Sequence, residues 1–360
     1  MSSLQQGHAS LQELVKELKL VVPDHYIQEP QDLEPVCNSS LLKPSIPVID
    51  MNDLIKMVEY NDIVQMKNLR AMCNEWGIFQ LVNHGVDKVL VEKMKEEIVG
   101  FFNLPVEDKL RYKLVAGDYQ GFGQTIVQTQ DQKIDWADRF YMITNPVHRR
   151  KSHLLPQFPS TLRETTEKYL QEVQKLAMSL FCIFGQVLDI DKKEMIDVFD
   201  DGMQSIRMTY YPPCPQPDRV VGLTPHSDAS GLTILLQVNE VGGLQVKKDG
   251  LWIPVDFLPD AFVVNIGDIL EIMSNGVCNS IEHRATVNAT KERISLAMFF
   301  NPKLEAQVRP AKSLLMKTKD HPLYRTLVME HYLKEFFSHK LNGKAFLERM
   351  KIRDIEVQET

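Results

Sequence analysis

Between Ser205 and Phe300 the chain repeats one texture, and that repetition restricts its fold more than any other feature. The runs "SIRMTYY", "GLTILLQV", "GLQVKK", "LWIPV", "AFVVNI", "SIEHRATV" and "RISLAMFF" are short and rich in β-branched and aromatic residues. Such residues suit a pleated, half-buried surface. "KKDG", "LPD", "IGD" and "SNG" supply the turns between them. Many short strands at this spacing point to an antiparallel double-sheet barrel of the jelly-roll kind.

Helical patterns surround this β-rich stretch. "SLQELVKELKL" has leucines at helical spacing, and Ser10 with Glu13 reads as a capping box. A Pro-rich stretch leads to a short strand, "IPVID". Then come a helix ("DIVQMKNLRAMCNEWG"), a strand ("IFQLVNHG") and a helix ("KVLVEKMKEEIVGFFNLP") that Pro105 stops. A long helical pattern covers Leu162 to Leu188, and its apolar stripe should back onto a sheet. Helix resumes from His321 and closes with "AFLERMKI". The fold class is α+β, a jelly-roll core flanked by helices. Its expected segments are a helical/β part at 1–200 packed on the core, a barrel at 201–310 and helices at 311–360.

Composition narrows the function. A net charge of -7 gives no general attraction to nucleic-acid backbones or anionic lipid. The opening residues carry no apolar signal core, and no segment approaches the roughly 18 apolar residues of a membrane span. Five scattered cysteines without a CxxC read as reduced thiols, so a cytoplasmic or nuclear setting is expected. No obligate protein partner is evident, and a small molecule is the expected substrate.

The chemistry concentrates in "GLTPHSDASGLTILLQV". Residues i and i+2 of an extended segment share a face, so His226 and Asp228 can point together. Alone, HxD is also compatible with a hydrogen-bonded surface pair. A second histidine, His283, falls on another expected strand, and Arg293 and Ser295 repeat the i, i+2 spacing ten residues later. Two imidazoles and one carboxylate can occupy one face of an octahedral metal and leave three positions open, an arrangement suited to non-haem Fe(II). A keto acid can chelate through two of those positions. Its far carboxylate then needs a partner, for which an arginine fork beside a serine hydroxyl is suited.

These residues resemble the plant 2-oxoglutarate/Fe(II)-dependent dioxygenases. The similarity runs through "IPVID", "EWGIFQLVNHGV", "FFNLP", "MTYYPPCPQPDRVVGLTPHSDASGLTILLQ", "GLQV", "DAFVVNIGDILEIMSNG" and "EHRATVN", and is greatest to the branch with the poppy alkaloid O-demethylases. The resemblance implies a double-stranded β-helix and iron ligands at His226, Asp228 and His283. It places the 2-oxoglutarate carboxylate at Arg293 and Ser295, with Tyr211 as a further contact. Thr209 stands where relatives usually have asparagine, and offers a hydroxyl but no amide as a candidate contact. The implied activity is hydroxylation or oxidative O-demethylation of the EC 1.14.11 type, using Fe(II), 2-oxoglutarate, O2 and ascorbate as reductant. An ascorbate-dependent oxidase without 2-oxoglutarate shares the RxS motif, so that alternative stays open. So does a non-redox binding or condensing protein on the same scaffold.

Even offsets from Arg293 and Ser295 carry Ala297, Phe299 and Asn301 toward the mouth of the barrel. Flavonoid-oxidising relatives have an acid where Asn301 stands. Its loss favours a small lipophilic metabolite such as a methoxylated alkaloid or methylated flavonoid. Arg207, Phe140 and Met142 are further pocket candidates, with plain packing as the competing reading. "GFGQTI" lacks the third glycine of a dinucleotide loop and reads as a turn or bulge. His84, and Asp135 with Asp138 around Trp136, read as structural.

Overall fold

Strands that are apolar on both faces need a layer on each side, and the β-rich stretch finds both. The computed structural model describes residues 10–17, 21–29, 44–115, 118–124, 132–155 and 158–352. Two sheets form its centre. The strands in chain order are β1 (Val48–Asp50), β2 (Ile78–Val82), β3 (Gly121–Gly123), β4 (Asp138–Asn145), β5 (Gln204–Tyr211) and β6 (Leu223–His226). There follow β7 (Leu232–Gln237), β8 (Leu244–Lys248), β9 (Leu251–Pro254), β10 (Phe262–Ile266), β11 (His283–Ala285) and β12 (Arg293–Phe300). The major sheet runs β1-β2-β10-β7-β12-β5-β4-β3, and the minor sheet β6-β11-β8-β9. All pairings are antiparallel except β1 with β2.

Side-chain alternation assigns the two faces of the major sheet. Leu235 and Val263 pack inward against Leu244, Val246 and Ile253 of the minor sheet. Ile234, Leu236, Leu296 and Met298 pack outward with Leu176, Leu180 and Phe184 of the long helix Ser160–Val187. That helix covers the sheet as its stripe predicts. The N-terminal part contributes β1 to β4 to this same sheet, which is continuous across residue 201. Among the described residues, no helix is long and apolar enough to cross a membrane.

Three local readings change. Ser10 does not cap its helix, Leu11–Glu17: its hydroxyl donates to Asp138 Oδ2 at 2.5 Å. Asp138 is the cap instead, accepting the Leu11 N–H at 2.8 Å and the Gln12 N–H at 2.8 Å, while Glu13 pairs with Lys16. A carboxylate with two oxygens satisfies more of the free helix N–H groups than one hydroxyl can. The "GFG" of "GFGQTI" is the edge strand β3 rather than a turn. The "IGD" turn opens a buried helix, Asp268–Met273, and passes so close to Ser230 that a Cβ on Gly267 would lie 2.0 Å from its carbonyl oxygen.

Candidate active site

His226 ends β6 and His283 opens β11, and the register of the pair sets them directly opposite each other. Their ring centroids are 4.3 Å apart. Asp228 returns to the same face: its Oδ1 is 3.6 Å from His226 Nε2 and 3.7 Å from His283 Nε2. Ligand atoms from the three buried residues all lie within 4.8 Å of one another.

The surroundings prepare these groups for a cation. His226 Nδ1 donates to the Thr224 carbonyl at 2.8 Å, and His283 Nδ1 to the Ile281 carbonyl at 3.1 Å. A carbonyl only accepts, so each Nδ1 carries the proton and each Nε2 keeps its lone pair toward the shared centre. Burial pushes the Asp228 carboxyl up, but His283 and His226 beside it, and a bond from Thr233, outweigh burial and hold it below the usual range. Burial pulls the His283 pKa down to about 4. A neutral imidazole and an ionised carboxylate at neutral pH are what a divalent metal requires of its ligands. Asn265 Nδ2 steadies the other oxygen, Asp228 Oδ2, at 3.3 Å.

Next to the triad lies a slot of about 50 Å³ lined by Thr209, Tyr211, Arg293 and Ser295 among others. The pairing of β12 with β5 explains the grouping, since Arg293 faces Tyr211 and Ser295 faces Thr209. The buried Arg293 guanidinium lies with its Cζ 5.0 Å from the Tyr211 ring centroid. One NH2 bond, 3.0 Å to Gln237 Oε1, turns it, while its Nε has no hydrogen-bond partner. A buried donor left open in this way fits a slot built to accept a carboxylate.

On the other side of the triad a cavity of about 810 Å³ opens toward solvent. Arg207, Phe299, His226 and Asp228 line both slot and cavity, so the triad stands where the two spaces meet. Asn301 lines the cavity with its Oδ1 unpartnered. Phe140 and Met142 do not belong to it. Both are buried in the main core, where Phe140 packs edge-on against Phe101. The register of β4 with β5 puts Arg139 opposite Thr209, Tyr141 opposite Arg207 and Ile143 opposite Ser205, and these three β4 residues line the cavity. Part of the remaining wall comes from far along the chain. Leu333, Phe336 and Phe337 of the helix Met329–Phe337 line it, and Phe337 stacks on Tyr119 with centroids 4.8 Å apart.

The readings of His84 and of the two aspartates stand. The His84 ring bonds the Asp260 carbonyl at 3.2 Å and the Val86 N–H at 3.2 Å. Asp135 accepts from the Thr224 hydroxyl at 2.6 Å.

Comparison with known proteins agrees with this geometry. Residues 202–302 match the model of the 2OG-Fe(II) oxygenase superfamily, and residues 46–161 that of the non-haem dioxygenase in morphine synthesis N-terminal family. Codeine O-demethylase of Papaver somniferum is 46% identical, over 95% of this chain and 96% of that protein. Oxoglutarate-dependent flavonoid 7-O-demethylase 1 of Ocimum basilicum is 45% identical, over 96% of this chain and 91% of that one. The crystal structure of JOX2 in complex with 2OG, Fe and JA superposes with a TM-score of 0.86 at 34% identity, covering 97% of this chain and 99% of that one. The chain belongs to the 2OG-Fe(II) oxygenase superfamily. It is a dioxygenase that uses Fe(II) and 2-oxoglutarate, which favours that reading over an oxidase lacking the keto acid.

Proposed function

We propose that His226, Asp228 and His283 hold the iron, that Arg293 and Ser295 with Tyr211 bind the far carboxylate of 2-oxoglutarate, and that the enzyme oxidises a small lipophilic metabolite in the larger cavity. The observation that carries this reading is the placement of the triad beside a slot that ends in a buried guanidinium, with His226 and Asp228 also facing a larger cavity of mixed apolar and polar lining. Thr209, opposite Ser295, is a further candidate contact for the co-substrate. O2 is the oxidant, and bound iron would bring it together with the two groups it oxidises: 2-oxoglutarate gives up two electrons, takes one oxygen atom and leaves as succinate and carbon dioxide, and the other oxygen atom enters a substrate C–H bond.

The chain itself supplies position and shelter. Arg293 orients the diacid, and Phe299, Tyr141 and Ile143 offer apolar and aromatic surface on which a ring system can lie. Asn301 Oδ1 and the Arg207 guanidinium are among the polar groups available to orient it. A methoxylated aromatic, alkaloid or flavonoid, is the favoured substrate. Hydroxylation of its O-methyl carbon gives a hemiacetal that separates into a free hydroxyl compound and formaldehyde. The O-demethylase relatives support this choice over simple ring hydroxylation. A cytoplasmic setting fits the four described cysteines, all of them free.

The test is incubation with Fe(II), 2-oxoglutarate, ascorbate and a panel of methoxylated alkaloids and flavonoids. The expected products are lighter by one CH2, with formaldehyde and succinate in equal amounts. Succinate matched instead to products heavier by one oxygen would replace O-demethylation with hydroxylation. Substrate oxidation without succinate would overturn the assignment of the slot.

A further inference from the structure

The strand β6, which ends at His226, lies at the edge of the minor sheet; Asp135 takes its Thr224 N–H at 2.8 Å, and a downstream glycine covers the edge around His226. Gly343 donates its N–H to the Pro225 carbonyl at 2.9 Å and accepts from the Ser227 N–H at 3.3 Å. It therefore grips the backbone on both sides of His226, as one rung of an added strand. Glycine suits this grip. Gly343 has φ of 49°, and a Cβ there would lie 3.1 to 3.2 Å from the Glu282 carboxyl group.

The next residue anchors this rung. Lys344 reaches into a buried polar cluster, with Nζ 2.8 Å from Glu271 Oε2 and 3.0 Å from Asn279 Oδ1. Glu271, only 6% exposed, also accepts the Ser280 N–H at 2.6 Å and the Tyr324 hydroxyl at 2.9 Å. The helix that carries Glu271 begins at Asp268, whose N–H donates to the Asp228 carbonyl at 2.8 Å. Asp268 Oδ1 accepts the Ser280 hydroxyl at 2.7 Å, and Ser280 lies three residues before His283. One cluster thus holds the backbone at or near all three triad residues.

We infer that Lys344 is a positioning residue for the metal centre: its ion pair with Glu271 pins Gly343 against β6 and so fixes where the His226 imidazole stands. The inference rests on the reading of His226, Asp228 and His283 as the metal site. It assigns Lys344 no contact with metal, keto acid or substrate. Removing the lysine leaves a buried carboxylate without its cation and frees residue 343 to drift from the strand edge. Loss of a group that orients a metal ligand typically costs about 10- to 100-fold in metal affinity.

The test uses the full chain and Co(II) binding measured by calorimetry, without turnover. Lys344→Met is expected to weaken Co(II) binding about 10-fold, and Lys344→Arg to restore most of it. The 2-oxoglutarate KM at saturating Fe(II) is expected to stay within about 2-fold. A double variant, Glu271→Gln with Lys344→Met, keeps the test valid should the single one fold poorly, because it buries no unpaired charge. It is expected to recover Tm but not Co(II) affinity. Wild-type affinity in either variant, or affinity that returns in step with Tm, would show the pair to be structural alone. A His226→Ala control separates the two readings. If it binds Co(II) as well as wild type does, the metal site is misassigned and this inference falls with it. If it does not bind but Lys344→Met binds normally, only the positioning role fails.

Discussion

His283 Nε2 lies 3.7 Å from Asp228 Oδ1, inside a buried pocket that leaves the imidazole neutral and the carboxyl ionised. The cost of that burial is measurable in the metal-free protein. The folded pKa of His283, about 4, is below its ordinary 6.5, so between these values the unfolded chain binds the extra proton. Its contribution to stability is present above pH 6.5 and is lost as pH falls toward 4, by at most about 3 kcal/mol. Tm of the metal-free protein should decline across that window, and less steeply in His283→Gln, whose side chain does not titrate. Thermal scans by circular dichroism read both slopes.

Asp268 has the opposite sign. Burial raises its folded pKa to about 7 from 3.8, so the folded state keeps a proton that the unfolded chain releases. Stability falls as pH rises through that window. Asp268→Asn removes the cost and keeps an acceptor for Ser280. It should raise stability at pH 8 by on the order of 2 kcal/mol and leave pH 4 unchanged. Equal Tm values at pH 8 would place the carboxyl in a more polar setting than its burial indicates.

Arg293→Ala should act on the keto acid alone. Losing a charge-assisted fork of about 1.5–3 kcal/mol raises the 2-oxoglutarate KM roughly 10- to 100-fold. Metal affinity should not change, since the guanidinium bonds Gln237 and not the triad. Initial rates at varied 2-oxoglutarate, with Co(II) calorimetry alongside, check the split.

Asp138→Ala removes the acceptor for the Ser10 hydroxyl and the Leu11 and Gln12 N–H groups. The buried donors left behind should cost about 2–4 kcal/mol. Limited proteolysis should then cut within Leu11–Glu17 before the core is attacked, while the 2-oxoglutarate KM stays as it was.

What could be read in advance followed periodicity. Phe299 and Asn301 reach the cavity, and Ala297 the slot, because alternation along β12 counts from Arg293 and Ser295. The triad was legible because two of its members share an i, i+2 spacing. In "RFYMI" of β4 the count has a single marker. Phe140 and Met142 face the core while Arg139, Tyr141 and Ile143 line the cavity, and in an otherwise apolar run only the charge of Arg139 distinguishes the two faces. The pairing of Tyr141 with Arg207 agrees with it. The capping role of Asp138 and the cavity wall at Leu333, Phe336 and Phe337 are equally hidden, being contacts between segments far apart in the chain.

The eight residues of β12 carry Arg293 and Ser295 at one end and Phe299 at the other. A strand rises about 3.3 Å per residue, so the two ends are roughly 20 Å apart on one rigid rod. On the proposed assignment, the diacid is gripped at one end of that rod, and Asn301, just past its other end, lines the cavity and not the slot. Replacements at 301 would then retune which compound is accepted while the fuel of the reaction is gripped as before, a division of labour along one strand.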